Sequence, residues 1–187
     1  ISPLILGDIG NQQIADFVNR KIIMLYLPLL VALFALVFAG FLIQKIQRFS
    51  SGSGKMIAIA NFIKEGAVSY LKRQFKTVGM VAVFLFLVLW LLLGIKTGLG
   101  FLVGAFFSGL AGFIGMMIST KANVRVAEAA KNGLAAALKL SFQGGSVTGF
   151  LVVGLGLLAV TGFYMLTNDL KSLIALGFGA SLISVFA

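Results

Sequence analysis

"TVGMVAVFLFLVLWLLLGIKTGLGFLVGAFFSGLAGFIGMMIST", from Thr77 to Thr120, is 44 residues long and holds one charge, Lys96. A helix needs about 20 apolar residues to cross the hydrocarbon of a bilayer. Two such lengths fit here, one on each side of Lys96. Gly94 and Gly98 flank that lysine and mark a turn. The stretch therefore predicts two antiparallel transmembrane helices in a tight hairpin, about Thr77–Ile95 and Thr97–Thr120. Trp90 falls near the turn, where an indole suits the headgroup level.

Three further apolar runs lie outward from the hairpin. Ile22–Ile43 is 22 residues without a charge, and its Pro28 lies in the first two turns, where a membrane helix tolerates proline. Ser146–Leu166 reads as a fourth span. Ser172–Ala187 is 16 uncharged residues, short of a full crossing, and reads as the start of a fifth. Ile22–Ile43 is too long and too late for a secretory signal, and no small-residue cleavage site follows it. Residues 1–20, with Asp8 and Asp16, read either as a short interfacial helix or as irregular chain. A first residue that is not Met, and an end inside an apolar run, lead to the expectation of a fragment of a longer protein.

Composition agrees with the spans. Hydrophobic residues make up 60% of the chain and charged residues 11%, against roughly 45–50% and 25% in soluble domains. The expected fold class is an all-α membrane protein, a multi-span transmembrane helix bundle. Residues 1–187 would form the N-terminal part of one transmembrane domain. The chain has no Cys and no His, which excludes disulfides, thiol nucleophiles, the usual zinc sites and imidazole acid–base chemistry.

The net charge of +10 could suggest nucleic acid, but basic residues collect on the cytoplasmic side of membrane proteins. Residues 44–76 carry Lys45, Arg48, Lys55, Lys64, Lys72, Arg73 and Lys76, and residues 121–145 carry Lys121, Arg125, Lys131 and Lys139. Only Arg20, Lys21, Lys96 and Lys171 fall on the other side. This asymmetry predicts that both long loops are cytoplasmic and the N-terminus is outside. No aromatic interleaving beyond Tyr70 and Phe75 supports a nucleic-acid surface.

Both loops contain amphipathic segments. Phe62, Ile63, Ala67, Tyr70, Leu71 and Phe75 recur at helical spacing, as do Val124, Ala127, Ala130, Leu134, Leu138 and Phe142. Two readings stay open: interfacial helices on anionic lipid, or continuations of the membrane helices that pack on their neighbours. Glu128 is three residues from Arg125 and from Lys131, a spacing that pairs on a helix. Glu65 likewise has basic neighbours within reach.

"SGSGKM" (Ser51–Met56) fails as a phosphate loop. That motif needs Gly where Phe49 stands and Ser or Thr where Met56 stands, after a strand. A flexible turn is the better reading. Small residues four apart, Gly100, Gly104, Ser108 and Gly112, predict a close-packed helix face, and Gly145 with Gly149 and Gly177 with Ser181 repeat the pattern. A glycine-lined ion path is the alternative. No acid lies inside a span, so these helices carry no proton relay by themselves.

The strings "EGAVSYLKRQFKT" (Glu65–Thr77), "TKANVRVAEAA" followed by "ALKLSFQGGSVTGFLVVGLGLL", and "GFGASLISVFA" together resemble the membrane-integral, ion-pumping inorganic pyrophosphatases. The resemblance covers roughly Lys55–Ala187 and is weak before Met24. Its motif positions, of structural rather than catalytic character, are Glu65, Gly66, Ala67, Arg73, Asn123, Arg125, Glu128, Lys139, Gly144 and Gly145. It implies a longer protein with sixteen membrane helices per subunit, usually a homodimer, in a prokaryotic cell membrane. Such an enzyme hydrolyses magnesium pyrophosphate at the cytoplasmic side and pumps protons or sodium ions outward, in some members with K⁺ dependence. The resemblance implies that Mg²⁺ is held by aspartates beyond residue 187 and that no catalytic residue lies in 1–187. The first four helices would be mainly outer-ring scaffold, and the fifth an inner-ring helix. Ser181 then matches a serine near the ion gate, while a small packing residue on the Gly177 face is its other reading. A small non-enzymatic channel or transporter subunit is the alternative function.

Overall fold

The computed structural model describes the backbone of residues 3–186 and the side chains of 22–182. Five α-helices follow one another: α1 (Pro3–Gln47), α2 (Gly54–Leu93), α3 (Ile95–Ala129), α4 (Leu134–Thr167) and α5 (Leu170–Phe186). Among the described residues there is no strand. Four segments are long and apolar enough to cross a membrane: Ile22–Gln47, Gly54–Leu93, Ile95–Asn132 and Leu134–Thr167. Leu170–Leu182 is a shorter apolar helix. The chain is an all-α integral membrane protein.

The expected hairpin is present, and its link is one residue. Gly94 alone separates α2 from α3, at φ 93°, and its N–H donates to the Trp90 carbonyl at 3.0 Å. A side chain would strain that backbone. At 1.5 Å per residue, the 40 residues of α2 span about 60 Å, twice the roughly 30 Å hydrocarbon thickness. The segments expected as loops are therefore largely helix. Residues from Gly54 onward continue into α2, and 121–145 consists of the ends of α3 and α4 joined by the single 3-10 turn Ala130–Asn132 and Gly133. Of the two readings of the amphipathic segments, the structure has the helix continuations. Their apolar positions are only partly covered. Leu71 is buried, and Ala67 and Phe75 are half-buried. Phe62, Ile63, Tyr70, Leu134, Leu138 and Phe142 stay exposed.

Helix α3 is the centre of the bundle and packs on α2, α4 and α5, while α1 packs on α4. One apolar cluster joins Leu42 and Ile46 of α1, Ile118 and Ala122 of α3, and Leu140 and Val147 of α4. A second joins Val78, Phe101, Ala175 and Leu182 across α2, α3 and α5. In lipid, association depends on close approach rather than on escape from water. The α3–α5 crossing shows it. A methyl on Gly100 would lie 2.5 Å from the Ser172 carbonyl oxygen. One on Gly104 would overlap the Leu176 carbonyl, and one on Gly179 would overlap the Phe101 carbonyl. Ser108 Oγ donates to the Ala180 carbonyl at 2.8 Å.

Part of the expected small-residue pattern is corrected here. Gly100, Gly104 and Ser108 lie at the crossing, but Gly112 faces open space. On α5 the contact residue is Gly179, not Gly177, which is exposed. On α4, Gly145 and Gly149 are open. Gly144 meets Ala122, and Gly154 meets Leu36 and the Ala32 carbonyl. A spacing of four fixes a stripe, but only the partner helix decides which stripe is covered.

The α4–α5 corner is held by polar groups. Asn168 ends α4 in the left-handed region, and its N–H bonds the Tyr164 carbonyl at 2.8 Å. Asp169, just before α5, accepts from Ser172 Oγ at 2.5 Å and from the Lys171 N–H at 3.0 Å. The Ser172 hydrogen bond, with help from the Lys171 N–H and the charge of Lys96, holds the Asp169 carboxyl below its ordinary value. A lowered folded-state pKa means the unfolded chain binds more protons in acid. The contribution is thus full above the unfolded value near 3.9 and is lost as pH falls through the lowered folded value. Melting temperatures of the parent and Asp169→Asn, measured from pH 7 downward, should differ most at neutral pH and converge in strong acid. A difference independent of pH would show that the carboxylate charge is not what holds this corner.

Candidate functional site

The polar groups gather at the end of the bundle opposite Gly94, where the loop between α1 and α2 meets the end of α3. The loop is short and pre-shaped. Gly52 has φ 80°, and its N–H donates to Ser50 Oγ at 3.1 Å. A methyl there would lie 2.5 Å from Glu128 Oε2, so the loop backbone sits directly on α3. Arg125 fastens it. Its Nε donates to the Phe49 carbonyl at 3.1 Å, and Nη1 donates to the Lys121 carbonyl at 2.7 Å. Glu128 pairs with Lys131 at 2.5 Å. Of the two partners that spacing offered to Glu128, the structure thus uses Lys131, and Arg125 turns to backbone carbonyls instead.

Of the motif positions, Arg125 and Glu128 come together at this loop, and both are half-buried. Gly144 is buried where α4 crosses α3 beside Ala122. Ala67 is half-buried on α2. Glu65, Gly66, Arg73, Asn123, Lys139 and Gly145 are exposed and do not join the cluster. Ser181 is exposed on α5, next to Ala180, whose carbonyl accepts from Ser108. The sequence reading missed Phe49 and Gly52, because one contributes a carbonyl and the other only the absence of a side chain.

Beside the loop, between α2 and α3, lies a cavity of about 160 Å³, with Ser51, Asn61, Lys64, Thr120, Lys121 and Arg125 as its polar lining and Ile57, Ala60 and Val124 as its apolar wall. A larger cleft of about 470 Å³ lies at membrane depth between the same helices and is almost wholly apolar, with Phe75, Phe106 and Phe113 in its lining. Among the described residues, no three of Asp, Glu, His or Cys come together as metal ligands. These residues do not fit a magnesium site.

The profile of the family described as inorganic H⁺ pyrophosphatase matches residues 33–187. The chain belongs to the inorganic H⁺ pyrophosphatase family. A Methanosarcina mazei relative, named K(+)-insensitive pyrophosphate-energized proton pump, is 47% identical over 160 residues, 84% of this chain and 24% of that protein. A K(+)-insensitive pyrophosphate-energized proton pump 2 from Moorella thermoacetica is 39% identical over 161 residues, 82% of this chain and 24% of its own length. A Bacteroides thetaiotaomicron protein with the provisional name K(+)-stimulated pyrophosphate-energized sodium pump is 39% identical over 152 residues, 78% of this chain and 21% of its own. The chain therefore spans about a quarter of the length of these relatives. The matched region takes in α2 to α5, the loop with its Arg125 fastening, and the α3–α5 crossing.

Proposed function

We propose that this chain is part of an ion pump that couples pyrophosphate hydrolysis to outward transport of protons or sodium ions. The observation that carries the reading is the family match over 33–187, reinforced by 47% identity to a protein named as such a proton pump. That name favours protons as the cargo. The 1–187 region supplies scaffold. Its polar cluster fastens a loop, and among the described residues no three acids gather to hold a metal-bound substrate. Mg²⁺, and K⁺ where it is required, would be bound by other parts of the protein. A tetra-anionic substrate needs such divalent cations to balance its charge.

In this reading the loop end of the bundle faces the cytoplasm of a prokaryotic cell and the Gly94 turn faces outside. The protein works as a homodimer in a lipid bilayer, and Ser181 on α5 lies near the ion gate. Supporting the orientation is the gathering of Lys64, Lys121, Arg125 and Lys131 at one end.

The test uses the intact protein in sealed vesicles. Adding pyrophosphate and Mg²⁺ should release phosphate and build a proton gradient read by a pH-sensitive dye. A sodium-selective uptake signal in place of the dye response would assign sodium. Residues 1–187 expressed alone should release no phosphate above background. Magnesium-dependent release by that fragment would contradict the scaffold assignment. Ion conduction by the fragment without pyrophosphate would favour a small channel instead.

A further inference from the structure

We propose that the cavity between α2 and α3 beside the α1–α2 loop is a binding site for a single phosphate group. Lys64, Lys121 and Arg125 line it, with Ser51 and Asn61 as neutral donors. No carboxylate lines it. The ion pair of Glu128 goes to Lys131, and none of the three lining cations has a carboxylate within 4.0 Å among the described residues. Lys64 and Lys121 are exposed, as Lys72 and Lys76 are, and Arg125 is half-buried; exposure of lysines at this end follows from the general cytoplasmic bias. What sets Lys64, Lys121 and Arg125 apart is that they share one concavity whose lining holds no carboxylate, the nearby Glu128 being paired with Lys131. They repel one another until an anion enters.

Arg125 is already in place for that anion. Two of its N–H groups are spent on the Phe49 and Lys121 carbonyls. The guanidinium is thereby held rigid, with its remaining donors free for an oxyanion. Lysines then add point charges and Ser51 and Asn61 add hydrogen bonds, the donor set that recognises a tetrahedral dianion. Size sets the class. About 160 Å³ is below the roughly 300–1,000 Å³ of sites for drug-sized ligands. It suits one phosphate with a water, not a nucleotide. Thr120 and Lys121 stand where the apolar run of α3 gives way to charge, so the group could belong to a free phosphate ion or to an acidic lipid headgroup. Neither source depends on the pumping reading.

The intact protein is placed in phosphatidylcholine nanodiscs with EDTA, so that any magnesium-dependent site is silent. One arm titrates inorganic phosphate by calorimetry. The other adds phosphatidylglycerol and reads retained lipid by native mass spectrometry. Lys64→Gln/Lys121→Gln should weaken binding about tenfold or more with an unchanged melting temperature. Lys72→Gln/Lys76→Gln, the same charge change outside the cavity, should leave it intact. If the cavity double variant fails to fold, Lys64→Gln alone serves. Phosphate binding with this pattern supports the site with a free ion, and selective phosphatidylglycerol retention supports it with a lipid. Binding in neither arm, or equal loss in both double variants, overturns it.

Discussion

Gly104→Val should destabilise the bundle by about 3 kcal/mol or more, at the upper end of the 1–3 kcal/mol usual for overpacking. The reason is what the new carbon would meet. At Gly104 it is the Leu176 carbonyl and the Ala180 amide nitrogen, both backbone. A rotamer change relieves a clash with a side chain, but here one helix must move off the other. Separation would also stretch the Ser108–Ala180 hydrogen bond one turn along. Gly112, eight residues on, has nothing within 4 Å. Gly112→Ala should be neutral or stabilise by about 0.5–1 kcal/mol through helix propensity alone. Thermal melts of the detergent-purified protein compare the two. Gly104→Val and Gly112→Ala melting alike would show that the α3–α5 crossing is looser than described.

Phe101→Ala should cost about 3–5 kcal/mol, the range for emptying a buried aromatic site. Phe101 is 0% exposed and tilted against Phe178 at 5.8 Å between ring centres. Val78 of α2 and Ala175 and Leu182 of α5 share its cluster. Helices that already touch backbone to backbone at Gly104 and Gly179 cannot close further on the void. Phe106 lies on the same helix but is 66% exposed, and lipid tails can replace its ring. Phe106→Ala should change the melt by less than about 1 kcal/mol. Equal losses at the two positions would argue against a buried Phe101.

The hairpin was legible because its evidence is one-dimensional. Forty-four residues with one charge and a glycine at the centre leave few alternatives to two helices and a turn. The covered glycine face was less legible. Gly177 and Gly179 differ by about 200° around a helix, since each residue advances about 100°. Both belong to plausible small-residue stripes, and only α3 distinguishes them. Gly144 and Gly145 show the same ambiguity at about 100°. The loop fastening left still less trace. Arg125 bonds the carbonyl of Phe49, 76 residues earlier, and a carbonyl is the same at every position of a sequence. The family strings were readable where residue types repeat in order, yet they do not say which of their members touch. Glu65, Arg73 and Lys139 read like Arg125 and Glu128 but stand apart on the helix surfaces.

The single-residue link at Gly94 has a mechanical consequence. Because α2 and α3 are continuous from that turn to the loop end, neither has a joint at the membrane boundary. Each moves as a lever of roughly 50–60 Å, and a tilt of about 5° displaces its far end by about 5 Å. Motion imposed on the loop end cannot be absorbed before it reaches the membrane. There the close approaches of Gly104 to Leu176 and of Gly179 to Phe101 leave α3 no slack against α5, so the displacement passes into α5.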